Sequence, residues 1–252
     1  MSPSVLVEVC VDSVAGALIA QESGAARVEL CADLLEGGTT PSAGTIALAC
    51  ERLAIPVVVL VRPRAGDFLY DATEREILCR DVAAVRRAGA AGVAIGALTA
   101  DGAIDVEAMR ALIDVARPMS VTMHRAFDLT RDRDESLDAL LALGVDRVLT
   151  SGGAPTAAEG IAVLRALVQR AGDALTILAG GRVTADVAPR LVREAGVREV
   201  HVRGAAPVES AMRFRRDDVV FGKAYAPDEY RWMDVSAPRV REVVAAVRSA
   251  AS

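Results

Sequence analysis

Two cysteines stand at the ends of short apolar runs, Cys10 closing Val5 to Cys10 and Cys31 closing Arg27 to Cys31. Thiolates are soft ligands that suit Cu(I) better than Mg(II) or Ca(II). If the two runs are neighbouring strands about 4.8 Å apart, both sulfurs can approach one Cu(I) ion in linear coordination. Inward residues of adjacent barrel strands usually occupy different layers, and free cysteine is often buried without any metal. A plain core role for the pair therefore stays open. Cys50, at helical spacing with Ile46 and Leu53, and Cys79, beside Ile77 and Leu78, read as core residues.

A second set of residues suits proton transfer and anion binding. Val121-Thr122-Met123-His124-Arg125-Ala126-Phe127-Asp128 is a β-branched run that stops on a histidine, an arginine and a carboxylate. The chain's two histidines, His124 and His201, both fall at strand ends. Glu8, Glu29, His124, His201 and Asp128 offer general acids and bases. Arg62, Arg64 and Arg125 present guanidinium forks that clamp a carboxylate or phosphate. Ser151, Gly152 and Gly153, and later Gly180 and Gly181, follow the sixth and seventh strands, where glycine turns expose backbone N–H groups to an anion. Together these describe an enzyme acting on a small anionic or phosphorylated substrate. Asp67, Phe68 and Tyr70 lie in a loop after the third strand that has the turn chemistry of a lid.

Such residues must be positioned by regular elements, and short β-branched runs alternate with helical patterns throughout. The runs are Val5 to Cys10, Arg27 to Cys31, Val57 to Arg62, Gly92 to Ile95, Met119 to His124, Asp146 to Thr150, Leu175 to Ala179 and Arg198 to Val202. Amphipathic stretches between them include Val14 to Glu22, Glu74 to Arg87, Ser136 to Leu143, Ala157 to Arg170 and Ala185 to Glu194, with a last helix over Pro238 to Ser249. Eight units in 252 residues match a single (β/α)8 TIM barrel over residues 1–252, a parallel α/β fold. Residues 207–236 precede the last helix and fall outside the strand pattern. Their aromatic part, Phe221 to Trp232, suits packing on a second subunit or closing the barrel's base.

Strand parity locates the chemistry. Val5, Val7 and Val9 share one face, which helices cover, while Leu6, Glu8 and Cys10 share the other. The same logic turns Arg27, Glu29, Cys31, Leu60, Arg62, Thr122, His124, Glu199 and His201 inward. A buried charge must be paired, and Glu8 and Glu29 balance Arg62, Arg64 and Arg125.

Composition narrows the partners. A net charge of -5 and 3% aromatic residues disfavour nucleic acid, which needs a basic face with stacking rings. No apolar run reaches membrane-span length and no signal segment leads the chain, so a cytoplasmic protein with a small-molecule partner is expected. Lys223 is the only lysine, which disfavours Schiff-base chemistry.

Several motifs in one order resemble the copper homeostasis protein CutC family. They are Glu8-Val9-Cys10-Val11-Asp12-Ser13, Val28-Glu29-Leu30-Cys31, Glu36-Gly37-Gly38-Thr39-Thr40-Pro41-Ser42, Val61-Arg62-Pro63-Arg64-Ala65-Gly66-Asp67, His124-Arg125-Ala126-Phe127-Asp128 and Leu149-Thr150-Ser151-Gly152-Gly153. The resemblance implies a TIM barrel, a cytoplasmic location and a role in copper handling; a homo-oligomer is also expected. Two loops depart from the pattern. Arg182 follows Gly180-Gly181 where the family tends to carry a third glycine, and His201-Val202-Arg203-Gly204-Ala205 replaces a His-x-Ser-Ala pattern.

Overall fold

The computed structural model describes residues 5–216, 218–219 and 229–251. Lys223, Phe221 and Tyr225 lie outside the described residues. Eight parallel strands form a closed barrel: β1 (Leu6–Val11), β2 (Arg27–Leu30), β3 (Val57–Leu60), β4 (Gly92–Ile95), β5 (Ser120–Met123), β6 (Arg147–Thr150), β7 (Thr176–Gly180) and β8 (Glu199–Val202). Closure is the pairing of β8 back onto β1, with Leu6 opposite Glu199 and Glu8 opposite His201.

The period-two alternation divides the apolar residues into two layers. Val7, Val9, Val11, Val28, Val93 and Val121 belong to the large core shared with the helices. A separate inner cluster holds Cys10, Cys31, Val58, Leu60 and Ala94. Glu8, Arg27 and Glu29, buried on that inner side, must find their partners there.

Helices α1 (Val14–Glu22), α2 (Ala43–Arg52), α3 (Ala72–Arg87), α4 (Val106–Ala116), α5 (Arg133–Leu143) and α6 (Ile161–Ala171) alternate with the strands. Their starts follow from capping. α3 begins two residues before the expected Glu74 because Asp71 and Glu74 form a reciprocal capping box. α6 begins later than the expected Ala157 because the Ala157 amide donates to the Gly181 carbonyl at 2.9 Å. That bond ties the loop after β6 to the loop after β7. The seventh helix, α7 (Ala188–Arg190), runs on into a π-turn over Leu191–Ala195, and α8 (Ala237–Ala251) completes the ring. Among the described residues no helix is long and apolar enough to cross a membrane.

Two further strands, β9 (Ala205–Glu209) and β10 (Arg231–Val235), form an antiparallel pair outside the barrel. The described part of the late segment therefore stands on the rim where the barrel strands end, not at the base. Its seat is the start of α1: Ser13 Oγ lies 3.4 Å from Asp234 Oδ1, and a Cβ on Gly16 would come within 2.7 Å of the same oxygen. Of the aromatic residues expected there, Trp232 is 47% exposed on β10.

Candidate functional site

The lower half of the interior is an ion-pair chain. Register sets Arg27 directly opposite Glu8, and Arg27 Nε donates to Glu8 Oε2 while its Nη2 donates to Glu199 Oε2 at 2.6 Å. Arg147 Nε reaches the same Glu199 oxygen at 3.1 Å, and its Nη1 reaches Ser120 Oγ at 3.1 Å. His201 Nδ1 lies 2.8 Å from Glu8 Oε1, and His201 Nε2 lies 3.8 Å from Glu29 Oε2. This corrects the expected balance of Glu8 and Glu29 against Arg62, Arg64 and Arg125. Those three arginines stand just beyond their strands, where loop groups satisfy them first. Arg62 donates to the Glu36, Gly38 and Gly66 carbonyls at 3.0, 2.9 and 2.7 Å, Arg64 pairs with Glu74 and Asp67, and Arg125 pairs with Asp128.

The two glutamates consequently differ. Burial works to raise the pKa of Glu8, but the His201 hydrogen bond and the Arg27 charge overcome it and hold the carboxyl at about 2. Glu29 has no arginine, so burial prevails and pushes it up to about 8. Burial also opposes charge on His201, yet Glu29, Cys10 and Glu8 outweigh it and raise its pKa well above the ordinary value.

Cys10 and Cys31 meet above this chain. The Cys31 amide donates to the Val11 carbonyl at 2.8 Å, which carries the β1–β2 ladder one step further. The side chains then approach diagonally, bridging the layer offset expected of adjacent strands: Sγ to Sγ is 3.7 Å, and Cys31 Sγ lies 3.4 Å from Glu29 Oε2. The hydrogen bond from Cys31 stabilises the Cys10 thiolate and lowers its pKa to about 5, while the same bond pushes Cys31 up. The contact therefore favours charge on Cys10 and a proton on Cys31. Among the described residues two groups bring ligand atoms within 4.8 Å of one another, Cys10 with Glu29 and Cys31, and Glu8 with Glu29 and His201. Glu29 belongs to both. Cys50 and Cys79 stand apart, partly buried against the outer core.

The residues expected at the upper rim do other work. His124 caps the short 3-10 turn Arg125–Leu129, its Nδ1 accepting from the Ala126 amide at 3.2 Å. That bond leaves the proton on Nε2, which is buried without a partner among the described residues. Burial, and then the Arg62 charge, lower its pKa to about 3. Phe68 lies between the two, 4.9 Å from the His124 ring and 4.9 Å from Arg62 Cζ, which anchors the loop after β3 to both residues. Asp128 is enclosed by donors: Thr150 Oγ1 at 2.5 Å, the Gly153 amide at 2.9 Å, the Ser151 amide at 3.1 Å and Arg125 Nε at 2.8 Å. The Gly152 amide donates to Thr150 Oγ1 at 2.8 Å.

The expected anion cradle at Ser151, Gly152 and Gly153 is therefore already filled by the protein's own carboxylate. Gly180 and Gly181 serve close approach instead. A Cβ on Gly180 would lie 2.5 Å from Leu149 Cδ1, and one on Gly181 3.0 Å from Ser151 Cβ. Of the expected acid and base set, Glu8, Glu29 and His201 converge with the thiols; His124 and Asp128 are engaged elsewhere. Arg27 and Arg147 were assigned no role from sequence, although parity placed Arg27 inside.

Above Cys10 and His201 opens a cavity of about 590 Å³ at the ends of β1, β7 and β8, with Arg125, Arg182, Arg203 and Arg239 on its walls. The C-terminal rim is where barrel enzymes hold ligands.

Comparison with known proteins agrees with this architecture. The CutC family model matches residues 5–206. A CutC family protein from Mesorhizobium japonicum is 46% identical over 245 residues, covering 97% of this chain and 95% of the relative. The copper homeostasis protein cutC homolog of Mus musculus is 42% identical over 236 residues, covering 94% of this chain and 87% of that protein. A solved CutC structure from Streptococcus agalactiae superposes with a TM-score of 0.75 at 33% identity, over 79% of this chain and 98% of its own. With the motifs, the barrel and these relatives in agreement, the chain belongs to the CutC family.

Proposed function

We propose that this protein handles Cu(I), taking the ion as cargo between Cys10 and Cys31. The observation that carries the reading is the pair of buried sulfurs 3.7 Å apart. A metal bonded to two thiolates at about 2.3 Å each accepts sulfur separations up to about 4.6 Å, so little movement is needed for both to reach one ion. Sulfur donors favour Cu(I) over hard divalent ions. The contact favours charge on Cys10 and a proton on Cys31, and that proton leaves as the metal binds. Glu29, 3.4 Å from Cys31 Sγ, is placed to accept it or to serve as a third ligand. The copper homeostasis name of the murine relative points to the same cargo.

Anaerobic titration with Cu(I) against a competing chelator tests this. The protein is expected to take up one equivalent, and Cys10→Ser with Cys31→Ser is expected to take up none while keeping the circular dichroism of the parent. Because Cys10 titrates at about 5, affinity should fall steeply as pH drops below that value, as metal and proton compete for the sulfur. Tight stoichiometric uptake by the double variant would remove this pair from consideration.

A further inference from the structure

We propose that the rim cavity above Cys10 and His201 binds a small organic oxyanion, a carboxylate or a phosphate ester, between Arg182 and Arg203. Three observations converge. First, among the described residues neither arginine has a hydrogen bond or a carboxylate partner, although Arg203 is half-buried. Of the wall's other two cations, Arg125 pairs with Asp128 and Arg239 donates only to the Ala205 carbonyl. A half-buried guanidinium with no hydrogen-bonded acceptor keeps its donors for a ligand, and the exposed Arg182 adds a second fork beside it. The acids on the lining, Asp186 and Glu242, make no hydrogen bond or ion pair with Arg182, Arg203 or Arg239 among the described residues, and nearby Asp12 meets Arg203 only as a charge, without a hydrogen bond.

Second, Arg182 has φ 55°, in the left-handed region that favours glycine. A side chain kept there costs backbone strain, and such strain gathers where a residue serves a ligand. Third, the cavity's volume of about 590 Å³ lies in the range of small-molecule sites. Val183, Ala205 and Val243 line it as well, so an apolar body fits beside a charged head. The loops after β7 and β8 thus place both arginines on one cavity. The proposed anion uses none of the amides after β6, which Asp128 occupies, and it is held by guanidinium groups rather than by a thiol, although Cys10 lines the same cavity.

Calorimetric titration of the metal-free protein at low salt with phenyl phosphate and with benzoate tests the proposal, since the two share a ring and differ in the head group. Saturable binding of either is expected, and the preferred probe tells phosphate ester from carboxylate. Arg203→Ser and Arg182→Gly should each weaken it by about tenfold or more, the effect of losing a charge-assisted hydrogen-bond pair. Arg182→Gly should at the same time raise Tm, because glycine relieves the strain. A merely structural arginine would not lose affinity while the fold gains stability. Cu(I) uptake measured separately on the same parent preparation tells failure of copper binding from failure of anion binding. Absence of saturable binding for both probes, or affinity unchanged by Arg182→Gly with Arg203→Ser, overturns the site.

Discussion

Arg27→Met is expected to lower the free energy of unfolding by about 3–5 kcal/mol, the range for removing one partner of a buried ion pair. Arg27 is 4% exposed and Glu8 1%, so water cannot replace the lost guanidinium. Two carboxylates lose a donor at once, Glu8 and Glu199. Glu199 keeps Arg147 and Glu8 keeps His201, which holds the effect within that range. Denaturant unfolding of the parent, Arg27→Met, Glu8→Gln and the double variant closes a cycle, and the double variant should be less damaged than the sum of the singles. A loss under about 1 kcal/mol for Arg27→Met would mean that the chain of ion pairs is open to solvent. Cu(I) uptake by a folded fraction of Arg27→Met should persist, because neither sulfur touches the guanidinium.

The second large effect is a pH dependence that His124 imposes on stability. Its ordinary value of 6.5 applies to the unfolded chain, and the folded value is about 3. Above pH 6.5 the ring is neutral in both states and contributes no slope. Between 6.5 and 3 the unfolded chain binds a proton that the folded protein refuses, so stability falls as pH falls. At pH 4 the deficit from this one residue is on the order of 3 kcal/mol. Asparagine at this position supplies a side-chain oxygen to the Ala126 amide, as helix caps commonly do, and carries no titrating ring. His124→Asn should therefore lose stability less steeply than the parent between pH 7 and pH 4 in urea unfolding. Parallel slopes for the two proteins would show that the ring gains its proton without unfolding. Glu29 acts in the opposite sense: raised to about 8, it favours the folded state as pH drops below that value.

Much of this was legible from residue order. Alternation in Val5 to Cys10 separated the helix-facing valines from Glu8 and Cys10, and the eight runs were enough for a barrel. The convergence of Cys10, Cys31, Glu29 and His201 followed from parity alone. Partner choice did not, because it depends on register, which alternation leaves open. Arg27 meets Glu8 because the β1–β2 pairing sets them opposite, and nothing in either segment announces that offset. Arg62 was misjudged for a related reason. Its charge is satisfied by three loop carbonyls, and backbone groups carry no mark in a sequence. The glycines after β6 were read as open to a ligand because Asp128, more than twenty residues earlier, gave no sign of reaching them. β9 escaped notice since Ala205-Ala206-Pro207-Val208-Glu209 lacks a clear alternation.

The cavity wall has a practical consequence for shortened forms of the chain. Met233, Arg239, Glu242 and Val243 all line it, yet the family match stops at residue 206. Trimming the gene to the matched stretch would uncover the thiol of Cys10 to oxidants and strip Val240, Val243, Val244 and Val247 from the neighbours they shield. Such a fragment should clump and oxidise during purification, and its chemistry would say little about the intact molecule.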